Sequence, residues 1–105
     1  MSAKSKGQSF ETRVAEDLKK KGYEILFKSR WARWGMIDFA GLWDICYWNK
    51  ERKGFGFVQV KTQKADTYGL KGKPYRDFAD THRAANALYA FATRNKEMEI
   101  EYEVI

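Results

Sequence analysis

The chain changes hydrophobic period along its length. Phe10, Val14 and Leu18 recur at every fourth position, with Ala15 beside them. That spacing lays one apolar stripe along a helix starting at Phe10, with Ser9 as its cap. Lys19, Lys20 and Lys21 suit the negative end of the helix dipole, and Gly22 suits its termination. Residues 1–7 precede the helix as a short basic arm, expected to be mobile. Tyr23–Lys28 then predicts a first strand, Trp43–Trp48 a second and Gly56–Thr62 a third, with the polar turn Asn49–Gly54 joining the last two as a hairpin. Residues 29–41 interleave Arg30, Trp31, Arg33 and Trp34, which suits a loop or an irregular strand. Residues 63–73 are polar and glycine-containing and predict a flexible loop. Pro74, the only proline, introduces a second helix over 75–94 with Phe78, Ala85, Leu88, Phe91 and Ala92 as its buried face. Glu97–Ile105 alternates strictly, Met98, Ile100, Tyr102 and Val104 against four glutamates. This is the pattern of a half-buried strand near a sheet edge, where charge discourages aggregation.

The predicted order is α-β-β-β-α-β, an α/β fold with a mixed sheet flanked by helices. The second helix gives the long connection that a parallel return of the last strand requires. At 105 residues, without internal repeats, the chain reads as a single domain spanning 1–105. No apolar run approaches the roughly 20 residues of a membrane span, and no apolar segment follows the basic start, so no signal peptide is expected. Cys46 is the only cysteine and reads as a small core residue. It excludes an intramolecular disulfide and fits an intracellular, cytoplasmic setting. The net charge is +6, and four of the acidic residues crowd the last nine positions. The remainder is therefore more basic still and would attract a polyanion, nucleic acid first.

Chemistry concentrates at Gln59-Val60-Lys61, inside the apolar run Phe55–Lys61. Alternation puts Gln59 and Lys61 on one strand face and Val58 and Val60 on the other. Polar side chains on so apolar a strand need partners, because unpaired burial is costly. The hairpin can bring Asp44 beside Gln59, and Glu11 on the first helix can reach the sheet from above. Carboxylate oxygens are hard ligands suited to Mg²⁺, with Mn²⁺ as a substitute. Glu11 and Asp44 would bind the ion, joined by the Gln59 side-chain oxygen and the Val60 backbone carbonyl. Lys61 would position or deprotonate the attacking water, or neutralise charge in a phosphorane-like transition state. The reaction class is metal-assisted phosphodiester hydrolysis. Asp38 is a rival metal ligand to Asp44, and Glu16 and Asp17 are weaker rivals to Glu11. His82 reads as a surface helical residue. Arg30 and Arg33 can hold phosphates while Trp31 and Trp34 stack on bases. Lys4, Lys6, Lys64, Lys71 and Lys73 can grip a nucleic-acid backbone.

Asp44, Gln59-Val60-Lys61 fifteen residues on, and Glu11 on a preceding helix together resemble the PD-(D/E)xK nuclease superfamily. Lys6-Gly7-Gln8-Ser9-Phe10-Glu11, and a charged helix ending at Gly22-Tyr23, are similar to the start of small archaeal and viral Holliday-junction resolvases and related short phage or archaeal nucleases. The resemblance covers nearly the whole chain. It implies a restriction-endonuclease-like core, a Mg²⁺-dependent endonuclease, branched DNA as substrate and a homodimer. It assigns Glu11, Asp44 and Lys61 to the metal-binding and catalytic positions, and Ser29 to the serine that resolvases carry after the first strand. Gln59 stands where the motif usually has an acid, and Leu42-Trp43 replaces the usual preceding proline. A nuclease fold that only binds nucleic acid is the alternative that this neutral Gln59 raises.

Overall fold

A computed structural model describes residues 4–33, 35–83 and 87–105; the side chains at 4–9, 31, 32 and 36 lie outside that description. Helix α1 runs Lys4–Lys20 and is followed by strand β1, Glu24–Lys28. A small hairpin comes next, β2 (Arg30–Ala32) and β3 (Gly35–Ile37). Strands β4 (Ile45–Asn49) and β5 (Gly54–Val60) follow, then a 3₁₀ turn at Lys64–Thr67 and helix α2, Gly69–Thr81. Strands β6 (Leu88–Arg94) and β7 (Ile100–Val104) complete the described chain. Five strands form one sheet in the order β1-β4-β5-β6-β7, and β2-β3 stands apart as a two-stranded ribbon. Within the sheet only β5 and β6 pair in parallel; the other neighbours are antiparallel. This mixed sheet with flanking helices is the expected class, compatible with a restriction-endonuclease-like core. No helix among the described residues is long and apolar enough to cross a membrane.

The α1 stripe falls where its period predicts. Phe10, Val14, Ala15 and Leu18 are buried against Ile45, Tyr47, Val58 and Ala92 on one sheet face. Gly22, with φ +90°, ends the helix in a Schellman arrangement: its N–H donates to Lys19 and that of Tyr23 to Leu18. The opposite sheet face carries Trp43 and Tyr89, covered by Tyr75, Phe78 and Ala79 of α2. The two helices thus bury both faces of the sheet centre.

Four expectations need correction. Helix α1 extends back to Lys4, so residues 4–7 are helical, Ser9 is internal, and only residues 1–3 of the expected arm lie outside the described residues. The expected loop at 63–73 holds the 3₁₀ turn and the first turn of α2, and Pro74 sits within that helix. Gly72 is there for close approach: a Cβ would collide with the Thr67 carbonyl. The helix expected over 75–94 ends at Thr81, and Leu88–Arg94 is a strand (Ala85 lies outside the described residues). Its centre is buried on both faces between α1 and α2, so the run shows no period of two, and its alanines suit a helix as well. The crossover through α2 therefore returns β6, not the last strand, in parallel. β7 folds back antiparallel through a turn where the Asn95 side chain accepts the N–H groups of Glu97 (3.0 Å) and Glu99 (2.9 Å).

Candidate functional site

The site grows from a fork in the sheet. The β4–β5 ladder runs regularly to Ile45 opposite Val58. One residue further, the Asp44 N–H still donates to the Val58 carbonyl at 3.0 Å. Trp43 then leaves the ladder and pairs with Phe39. The Val60 N–H would be left without a partner. It donates instead to the Asp44 carboxylate, Oδ2 at 2.9 Å. An extended residue points its N–H and C=O to the same side, so the Val60 carbonyl faces this opening as well. The Lys61 N–H points the other way and donates to the Ala92 carbonyl of β6 at 2.9 Å.

Ser29 follows β1 directly, and its N–H donates to the Asp44 carbonyl at 2.6 Å. Its hydroxyl donates to Glu11 Oε2 at 3.0 Å. Glu11 reaches that hydroxyl because it follows the buried Phe10 on α1 and lies at the margin of the packed stripe. The Gln59 amide, oriented to satisfy its surroundings, gives its nitrogen to the Leu42 carbonyl and, at 3.3 Å, to Asp44 Oδ2. Helix, strand end and hairpin thus bring Glu11, Ser29, Asp44, Gln59 and Val60 into one connected group. Asp44, Ser29 and Gln59 are all buried.

Electrostatics mark the same place. Burial pushes the Asp44 carboxyl up to about 7, the Val60 N–H opposes that, and the charges of Glu11 and Asp38 add to it. Burial also raises Glu11, against the Ser29 hydroxyl and Lys28, while Asp38 again adds to the rise. Asp38 follows β3; its Oδ1 is buried and has no hydrogen-bond partner among the described residues. The charge of Asp38 thus acts on both Glu11 and Asp44, although among the described residues no three His, Cys, Asp or Glu side chains converge as a ready cation cage.

Lys61 lies one residue beyond β5, half-buried, with Nζ 5.5 Å from the centre of the Tyr75 ring. Among the described residues it forms no ion pair. Tyr75 is the residue that sequence reasoning missed. Burial raises its hydroxyl, and the charges of Asp44 and Asp38 add to that rise, so the ring stands near both the carboxylates and the lysine. The available signal was Tyr75, Phe78 and Ala79 at helical spacing, a stripe that must cover the Gln59–Lys61 face.

The remaining candidates are spread out. Arg30 and Arg33 are exposed on the β2–β3 hairpin, and Lys64 on the 3₁₀ turn. Lys71 and Lys73 are exposed but pair with Asp66 (3.1 Å) and Asp77 (2.8 Å). The side chains of Lys4, Lys6, Trp31 and Trp34 lie outside the described residues. Asp17 accepts from the Tyr102 hydroxyl (2.6 Å) and Lys21 (3.0 Å), and Glu16 pairs with Lys19, so neither joins Glu11. His82 stacks on Phe78 and is exposed, as its surface reading anticipates.

No family profile matches the chain. The chain is 26% identical, over 117 aligned residues, to a UPF0102 protein of Caldicellulosiruptor saccharolyticus; the match covers all of this chain and 92% of that protein. The likeness and the fold support the resemblance to PD-(D/E)xK proteins at the superfamily level.

Proposed function

We propose that this chain is a Mg²⁺-dependent DNA endonuclease, with Mn²⁺ as a substitute, that cuts branched DNA as a homodimer in the manner of a junction resolvase. The observation that carries the reading is the hydrogen-bonded group Glu11–Ser29–Asp44–Gln59–Val60 at the sheet fork, with Lys61 the next residue along the chain. The donors suit the ion. Two carboxylates pushed upward by burial, with the charge of Asp38 acting on both, are hard oxygens that a cation would relieve. Glu11, Asp44 and the Val60 carbonyl would hold it. When bound, it supplies Lewis-acid polarisation of a phosphoryl oxygen.

The chain's own groups do the rest. Ser29 fixes the Glu11 rotamer, and the Val60 N–H and Gln59 nitrogen fix that of Asp44. Lys61 places its ammonium near the developing negative charge of the phosphoryl group. Arg30, Arg33 and Lys64, with Lys4, Lys6, Lys71 and Lys73, take the phosphates on either side. A junction needs two symmetric cuts, which a two-fold dimer provides. Leu26, Phe39 and Phe55 are apolar and about half exposed, which leaves surface for a second copy. A lone buried Cys46 suits a reducing intracellular compartment.

The test is cleavage of four-way junctions, flaps and linear duplex with Mg²⁺. The expected result is a preference for junctions, and a loss of about a hundredfold or more in Lys61→Ala. Equal rates for wild type and Lys61→Ala on every substrate would refute the assignment. One observation favours a second reading, a nucleic-acid-binding module without catalysis: Gln59 is neutral and turns its nitrogen, not its oxygen, to Asp44. Calorimetric titration with Mg²⁺ and Mn²⁺ separates the two. Binding that disappears in Asp44→Asn supports the enzyme; no binding in wild type supports the module.

A further inference from the structure

Lys61 is held differently from the other groups of the site. Its backbone is pinned to Ala92, yet no carboxylate among the described residues pairs with its ammonium. Two residues back along the chain stands Gln59, which carries no charge and gives its nitrogen to Leu42 and Asp44. A flexible four-carbon stem with nothing to anchor its head would sample many rotamers. What stands over it is the ring of Tyr75, its centre 5.5 Å from Nζ. That ring is itself fixed. Trp43 meets it edge-on at 5.5 Å and Phe91 at 5.4 Å, so two aromatic rings of the sheet hold the ring that α2 carries.

We infer that Tyr75 is a positioning residue: the face of its ring seats the Lys61 ammonium by a cation–π contact, in place of an ion pair with an acid at position 59. The inference rests on the nuclease reading for its effect on rate, though not for the contact itself. An electron-rich ring face attracts an ammonium without neutralising it, so the charge remains available to the phosphoryl group. The hydroxyl is not needed; the face is.

The experiment compares wild type, Tyr75→Phe, Tyr75→Leu and Gln59→Glu with Tyr75→Leu on Mg²⁺ and junction DNA. In parallel, NMR of the lysine ε-methylene groups is recorded on metal-free protein, with the Lys61 signal assigned by its loss in Lys61→Arg. The ring face should shift that signal upfield in wild type and in Tyr75→Phe, and Tyr75→Leu should return it to the random-coil position. Tyr75→Leu should lower kcat about tenfold with KM unchanged, Tyr75→Phe should rescue most of that loss, and Gln59→Glu should rescue part of it by supplying an ionic partner. An unshifted Lys61 signal in wild type overturns the inference whether or not Tyr75→Leu folds. So does a loss in Tyr75→Phe as large as in Tyr75→Leu. If wild type cuts nothing while its Lys61 signal is shifted, the seat stands and the nuclease reading falls.

Discussion

At the scale of single residues, Asp44 has two tasks that pull on one carboxylate. Its Oδ2 accepts the Val60 N–H where the β4 backbone has departed, and the same group is the central candidate ligand. In the folded chain it titrates near 7, against an ordinary value near 3.8. Between those values the folded protein holds a proton that the unfolded chain has released. The resulting stability is fully present below pH ~4 and is lost as pH rises through ~7. Glu11 shifts in the same direction. Asp17 is lowered and acts oppositely, though only at and below the ordinary carboxylate range. The midpoint of thermal unfolding of metal-free protein should therefore fall from pH 4.5 to 7.5, by a stability on the order of a few kcal/mol. Asp44→Asn should flatten most of that slope. A wild-type profile that stays level across the window would remove the buried acid from the description.

At the scale of elements, close approach does more than propensity. Gly56 lies under the Tyr47 ring, and a Cβ there would overlap it. Tyr47 in turn stacks on Tyr23 at 4.6 Å, so it has little room to retreat. Gly56→Ala should cost about 1–3 kcal/mol in urea unfolding, the range for overpacked cores. An unchanged midpoint would mean that the ring moves freely. Such contacts explain what the sequence could show. The α1 stripe and strands β1, β4 and β5 were legible because each is packed on one main face or bounded by clear turns. Strand β6 was not, because burial from both sides erases alternation. Asp44 and Gln59 were legible together through hairpin length. Tyr75 was not, because its meaning comes from a crossover that carries α2 back over β5. The nitrogen-first role of Gln59 was hidden too: residue type gives an amide both a donor and an acceptor, and only the Leu42 carbonyl decides between them.

At the scale of the whole molecule, a net charge of +6 predicts how nucleic acid should be held. DNA affinity should fall steeply with salt, and replacing both Arg30 and Arg33 by alanine should lower the log–log slope by roughly 2. A slope unaffected by that pair would place the DNA on another face. Measured on a junction and a duplex in parallel, the same series separates phosphate contacts, which weaken both alike, from recognition of branching, which does not. The bond from the Lys61 N–H to Ala92 also has a consequence in time. It joins strands that meet only after α2 has crossed the sheet, a non-local contact that forms slowly. A chain emerging from synthesis can pair β4 with β5 and so hold Asp44 against Val60, yet Lys61 has no β6 to dock on until residue 92 has been made. The hairpin end that holds Asp44 can therefore form before the backbone of Lys61 is docked.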